Sequence, residues 1–198
     1  EWGCWFDVEP GTNPGFLYQQ NTMRDALVAC VTLNIFNKHC DRVKMANIAQ
    51  MVNVLQSVIL TEGEKMILTP TYHIFHMYKY HQNAQLLESF VETEEIGVED
   101  YRVPDISESV SVDGEGNIHI TLGNLSVTDA KEIEVLFADK KAEKVEAAIL
   151  TGSMDAYNTF DEPENVKEKE FTDYTVTEGG SIKLTVPACA VIHMEVKA

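Results

Sequence analysis

Glu1, Trp2 and Trp5 sit within the opening Glu-Trp-Gly-Cys-Trp-Phe of the chain, a carboxylate beside two indoles. Carbohydrate rings stack their apolar C–H faces on aromatic surfaces, and a positioned carboxylate can attack an anomeric carbon, so this grouping suits a sugar site. An acid next to core tryptophans is more often structural than catalytic. The hexapeptide alone does not choose between the two. A second isolated polar group is Gln50, the amide threaded into the apolar run from Arg42 to Val54.

The other chemistry-bearing residues read as structure. His73, His76 and His81 fall in an aromatic stretch with no carboxylate close in sequence, so no metal is expected there. Asp113-Gly114-Glu115-Gly116-Asn117 has the look of a calcium loop, but Ile118 stands where that loop needs Gly and Asn124 where it needs Glu. A hairpin turn is the better reading. Asn124-Leu125-Ser126 matches a glycosylation acceptor, a match common by chance. Cys4, Cys30, Cys40 and Cys189 have no zinc or redox spacing, and reduced thiols in a cytoplasmic protein are the simplest account.

These residues need a scaffold, and 198 residues with 44% hydrophobic and 24% charged side chains are enough to bury one or two cores. A formal charge of −17 argues against nucleic acid as a partner. No run is long and apolar enough for a membrane span. No signal peptide is visible ahead of Glu1, and the start reads as cut from something longer, so export is left open.

Thr22 with Asp25 marks a helix start, and Leu27, Val28, Val31 and Ile35 line one face of a helix ending near His39. Val43 to Ala49 reads either as helix by periodicity or as a short buried strand. Irregular or short helical structure is expected to Leu60. Thr69-Pro70 then begins a second helix running to about Tyr80. Beyond residue 85, alternation at Ile118–Leu122, Ile133–Phe137, Ile182–Val186 and Ile192–Val196 predicts an antiparallel, jelly-roll-like sandwich, with turns at Asp113-Gly114, Gly123-Asn124 and Gly179-Gly180.

Glu-Trp-Gly-x-Trp, the Lys38 to Val54 run, Leu68-Thr-Pro-Thr-Tyr-His-Ile-Phe75 and the stretch from Met154 to Pro163 resemble, in this order, the C-terminal part of glycoside hydrolase family 51 α-L-arabinofuranosidases. The resemblance implies an α+β fragment. Residues 1–84 would be the last part of a (β/α)8 TIM barrel, and residues 85–198 the C-terminal β-sandwich. It implies a retaining exo-acting enzyme that removes terminal arabinofuranose from arabinan- or arabinoxylan-type saccharides without a cofactor. Glu1 matches the nucleophile at the end of barrel strand seven. Gln50 matches a sugar-binding residue at the end of strand eight, which favours a strand at Val43–Ala49, and Trp5 matches an aromatic wall beside it. The acid/base glutamate and the rest of the barrel are expected in an N-terminal part of the same enzyme, and the isolated chain is expected to be inactive. A homo-oligomer is also implied. The competing role for residues 85–198 is a non-catalytic module for carbohydrate binding or oligomerisation.

Overall fold

A computed structural model describes residues 1–198. The first helix, α1, spans Met23–Lys38. Its start follows from Thr22 and Asp25: the Asp25 carboxylate accepts the Thr22 backbone N–H at 2.7 Å, satisfying a donor that no helical carbonyl can reach. Next comes an antiparallel hairpin of β1 (Ile59–Glu62) and β2 (Lys65–Leu68), closed by Gly63 at φ 56. Helix α2 (Pro70–Tyr78) follows with Thr69 as N-cap and Pro70 in its first turn, and a single 3-10 turn, Lys79–His81, extends it.

The remaining strands are β3 (Gln85–Leu86), β4 (Glu95–Val98), β5 (Tyr101–Pro104), β6 (Ile106–Val112), β7 (Ile118–Asn124), β8 (Lys131–Val135), β9 (Lys144–Thr151), β10 (Lys169–Glu170), β11 (Tyr174–Val176), β12 (Ile182–Val186) and β13 (Ala190–Lys197). They form a six-stranded antiparallel sheet ordered β10-β9-β13-β7-β6-β3, a three-stranded sheet ordered β11-β12-β8, and a separate β4-β5 hairpin. Ile118, Ile120 and Leu122 of β7, Ile192, Met194 and Val196 of β13, and Ile182, Leu184 and Val186 of β12 fill one core. Period-two alternation sends these residues inward and their neighbours to the other face.

That other face of the large sheet carries the two helices. Met23, Ala26, Cys30 and Leu33 of α1 meet Ile74, Met77 and Tyr78 of α2 and Leu150 and Val191 of the sheet in a second core. Val28 and Ile35, predicted for the packed face of α1, are 38% and 50% exposed instead. The reason is that α1 lies on a row of serines: Asn34 donates to Ser107 Oγ at 3.0 Å, Asn37 donates to Ser109 Oγ at 3.0 Å, and the Tyr78 hydroxyl donates to Asn34 Oδ1 at 2.6 Å. The sheet-facing stripe is thus part polar, and a count of apolar residues mislocates it. Gly123 is not a turn residue but part of β7, because a Cβ there would stand 2.5 Å from Cys30 Sγ where α1 crosses the sheet. Asn124 is fully buried and its amide donates to the carbonyls of Asp129, Val186 and Pro187, which removes it as a glycan acceptor. The Asp113 carboxylate accepts the Glu115 and Asn117 N–H groups in a β6–β7 turn, as expected for a hairpin.

Two further expectations change. Val43–Ala49 forms no strand ladder: Ile48 makes one parallel bridge to Trp2, and the stretch before it has no strand beside it. Residues 59–68, expected to be irregular or helical up to Leu60, form the β1–β2 hairpin.

Where the 3-10 turn meets the sheet, Tyr80 stacks on His193 and His119, with ring centres 4.7 and 5.3 Å apart. His81 spans Ser111 and Thr121 at 2.8 and 2.7 Å. Burial pushes His81 from 6.5 to about 4 and His193 to about 3. The folded protein therefore holds these rings neutral at pH values where the unfolded chain protonates them. Their contribution is fully present above about pH 6.5 and is lost as pH falls toward 4. Urea midpoints should be level between pH 7 and 8 and drop below pH 6, less steeply in His193→Phe. An acid limb that this variant leaves unaltered contradicts the assignment.

Candidate functional site

The N-terminal segment is held by a short set of backbone and amide bonds. Trp2 N–H donates to the Asn47 carbonyl at 3.0 Å, and Ala49 N–H donates to the Trp2 carbonyl at 2.8 Å, so the chain before α1 runs parallel to the chain after it. Glu1 precedes that bridge and Gln50 lies two residues past it, both exposed. No side-chain hydrogen bond ties Glu1, Trp5 and Gln50 to one another. The bridge brings their segments side by side and leaves their polar ends open.

The two indoles divide the roles that the sequence left joined. Trp2 stacks on Phe75 at 6.2 Å and meets Phe36 edge-on at 5.9 Å, wedged between α1 and α2 as a packing residue. Trp5 is 70% exposed, a flat apolar surface turned outward three residues beyond it.

Two buried amides shape the loop between them. Gln56 is fully buried; its Oε1 accepts Cys4 N–H at 2.8 Å, and its Nε2 donates to the Asp25 carbonyl at 2.8 Å and to Thr71 Oγ1 at 3.2 Å. Gln19 accepts Phe6 N–H at 2.9 Å and donates back to the Cys4 carbonyl at 3.1 Å. Each side chain supplies both a donor and an acceptor, which is what an irregular buried loop needs. Sequence reading missed both. For Gln56 the available signal was the one noticed at Gln50, an amide set in an apolar run, whereas Gln19, followed by Gln20 and Asn21, carries no such signal. Cys4 is no rival nucleophile, since burial, reinforced by the Asp25 charge, pushes its thiol up to about 12.

His76 Nδ1 lies 2.7 Å from Glu168 Oε2, a carboxylate supplied from far along the chain. An apolar groove of about 530 Å³ between α1, residues 43–46 and α2 includes none of Glu1, Trp5 and Gln50.

Residues 1–190 match the family model described as "Alpha-L-arabinofuranosidase C-terminal domain". The chain belongs to the α-L-arabinofuranosidase C-terminal domain family. An "Intracellular exo-alpha-L-arabinofuranosidase" of Bacteroides ovatus is 47% identical to it over 199 residues, covering 100% of this chain and 38% of that protein. The crystal structure of the family 51 arabinofuranosidase of Xanthomonas axonopodis pv. citri superposes with a TM-score of 0.94 at 40% identity, over 99% of this chain and 40% of that one. The arabinofuranosidase of Thermotoga maritima, solved as an arabinose complex, matches in fold with a TM-score of 0.84 at 24% identity, over 100% of this chain and 42% of that one. This arabinofuranosidase C-terminal domain thus spans well under half the length of these relatives. It is mostly antiparallel sheet with two helices, and the bulk of a TIM barrel is not in it. None of its helices is long and apolar enough to cross a membrane.

Proposed function

We propose that the whole protein is a retaining, exo-acting α-L-arabinofuranosidase, to which this segment contributes the nucleophile Glu1 and one wall of the sugar pocket, Trp5 and Gln50. One observation carries the reading. The segments holding Glu1 and Gln50 are parallel neighbours joined through α1, the arrangement of consecutive strands in a (β/α)8 barrel, whose catalytic groups sit at strand C-terminal ends. On this reading residues 1–84 close a barrel supplied mainly by another part of the protein, and residues 85–198 form its sandwich. The names of the relatives support the same activity.

In the chemistry that follows, Glu1 attacks the anomeric carbon. A second carboxyl from outside these residues, about 5–5.5 Å away, protonates the leaving oxygen and then activates water. Gln50 hydrogen-bonds the ring hydroxyls most strongly as the sugar flattens toward its oxocarbenium-like transition state. Trp5 offers a stacking face. The chemistry calls for no cofactor or metal. The substrates are neutral arabinofuranosyl saccharides, the working compartment is the cytoplasm, and the complete enzyme is a homo-oligomer.

The rival role, a carbohydrate-binding sandwich, draws less support. Of its aromatics Tyr101, Tyr157, Phe160, Phe171 and Tyr174, Phe171 is buried and the Tyr174 hydroxyl donates to the Val145 carbonyl, so that Tyr101, 82% exposed, is the one left widely open. The test is kinetic and uses the full-length protein. Wild type should release nitrophenol from a nitrophenyl arabinofuranoside, and Gln50→Ala should fold normally but lose roughly a hundredfold in kcat/KM, about 2.7 kcal/mol. Wild-type kinetics in that variant would reduce Gln50 to a surface amide.

A further inference from the structure

Gln50 is exposed, and the bonds that hold it run through its backbone: its N–H donates to the Val54 carbonyl at 3.1 Å, and its carbonyl accepts the Val58 N–H at 3.3 Å. An amide that must meet a sugar hydroxyl is placed no better than the turn beneath it. Upstream, the Ala49 N–H to the Trp2 carbonyl fixes that turn. Downstream, it depends on Asn53.

Asn53 sits at φ 59 and Leu55 at φ 53, two left-handed residues close together, neither of them glycine. Asparagine tolerates this region because its short amide bonds locally, whereas leucine is strained there. Leu55 is kept in place by burial and by its N–H to the Leu17 carbonyl at 2.9 Å. Strain that the surroundings maintain collects at functional sites, and this pair follows Gln50 directly.

The Asn53 side chain is bonded twice to one residue. Its Oδ1 accepts the Thr61 N–H at 2.7 Å, and its Nδ2 donates to Thr61 Oγ1 at 2.8 Å. A turn asparagine ordinarily bonds the backbone two residues on, but this one reaches out of its turn to β1. Two backbone links run beside it: the Asn53 N–H donates to the Ile59 carbonyl at 3.1 Å, and Val52 bridges to Ile59. The other end of the hairpin is pinned too, since Thr69 Oγ1, just past β2, donates to the Ser57 carbonyl at 2.7 Å. The turn that carries Gln50 is thereby clamped to a strand.

We propose that Asn53 and Thr61 are a positioning pair, which fixes the turn that aims Gln50 at the sugar and does not itself touch substrate. The proposal rests on the reading of Gln50 as a sugar-binding residue. Because the bonds of Gln50 strengthen in the transition state, displacing it lowers kcat and changes KM little.

The test is a double-mutant cycle on the full-length protein with a nitrophenyl arabinofuranoside. Asn53→Gly keeps the left-handed backbone and removes the amide, and Thr61→Val keeps the shape and removes the hydroxyl. Each should lower kcat about tenfold, the loss of one or two hydrogen bonds, with KM within about twofold. Thr61→Ser, which restores the hydroxyl, should recover most of the loss. In a Gln50→Ala background the same substitutions should cost less than about twofold more, because the group they place is gone. An equal loss in both backgrounds would make the pair a general support of the fold and overturn the proposal. So would wild-type kinetics in both single variants, with Gln50→Ala still impaired. If Asn53→Gly does not fold, Thr61→Val decides alone. A wild type that releases no nitrophenol, or wild-type kinetics in Gln50→Ala, would remove the reading of Gln50 and the pair with it.

Discussion

Replacing Glu1 with alanine in the full-length protein is expected to lower turnover of an aryl arabinofuranoside by roughly four orders of magnitude or more. Among the residues proposed for the site, Glu1 alone carries a carboxylate. Cys4 is held as a neutral thiol by burial, and Gln50 cannot form a glycosyl ester. Added azide should restore part of the turnover, because a small anion fits the space vacated by the carboxylate. It attacks once, so the product should be the azide of inverted configuration. Polarimetry or proton NMR of the product reads the configuration directly. Retained configuration, or full activity in Glu1→Ala, would end the assignment.

The second large effect is expected at a residue that touches no substrate. Gln56→Leu keeps the volume and removes the amide, leaving Cys4 N–H and the Thr71 hydroxyl without their partner in a buried place and the Asp25 carbonyl with its helical bond alone. Each stranded group costs about 1–3 kcal/mol, and the sum should destabilise the fold by about 3–5 kcal/mol in urea titration. Activity should fall as well, since Gln56 ties the Glu1–Phe6 segment to α1 and α2. Unchanged stability would mean that the loop finds other partners, and Gln56 would not be its anchor.

Local chemistry was legible where neighbours in sequence decide the outcome. Thr22 with Asp25 and Thr69 with Pro70 start their helices as expected, because capping is settled within four residues. Alternation at Ile118–Leu122 and Ile182–Val186 identifies inward faces, because a strand's period does not depend on what it packs against. Features set by distant contacts were not legible. Gly123 looks like a turn residue until Cys30, far earlier in the chain, is seen to fill the space of its missing side chain. Val28 and Ile35 look like core until the serines of β6 take the Asn34 side of α1. Val43–Ala49 has strand composition, but a ladder needs a neighbour along its length and Trp2 supplies a single point.

The candidate site shows the same division. Glu1, Trp5 and Gln50 were singled out by type and by resemblance, and their segments lie side by side through the Trp2–Ile48 bridge. That Trp2 packs and Trp5 is open could not be read from Trp-Gly-Cys-Trp, because the difference is made by Phe36 and Phe75, which arrive with α1 and α2.

The central claim is that Glu1 forms the covalent bond to the sugar. The most direct measurement is to trap that intermediate on the full-length protein with a slowly hydrolysed fluorinated aryl arabinofuranoside, digest it, and locate the added mass by tandem mass spectrometry. The account predicts one adduct, on Glu1, that decays with recovery of activity. An adduct on any other carboxylate, with Glu1 unmodified, would contradict it.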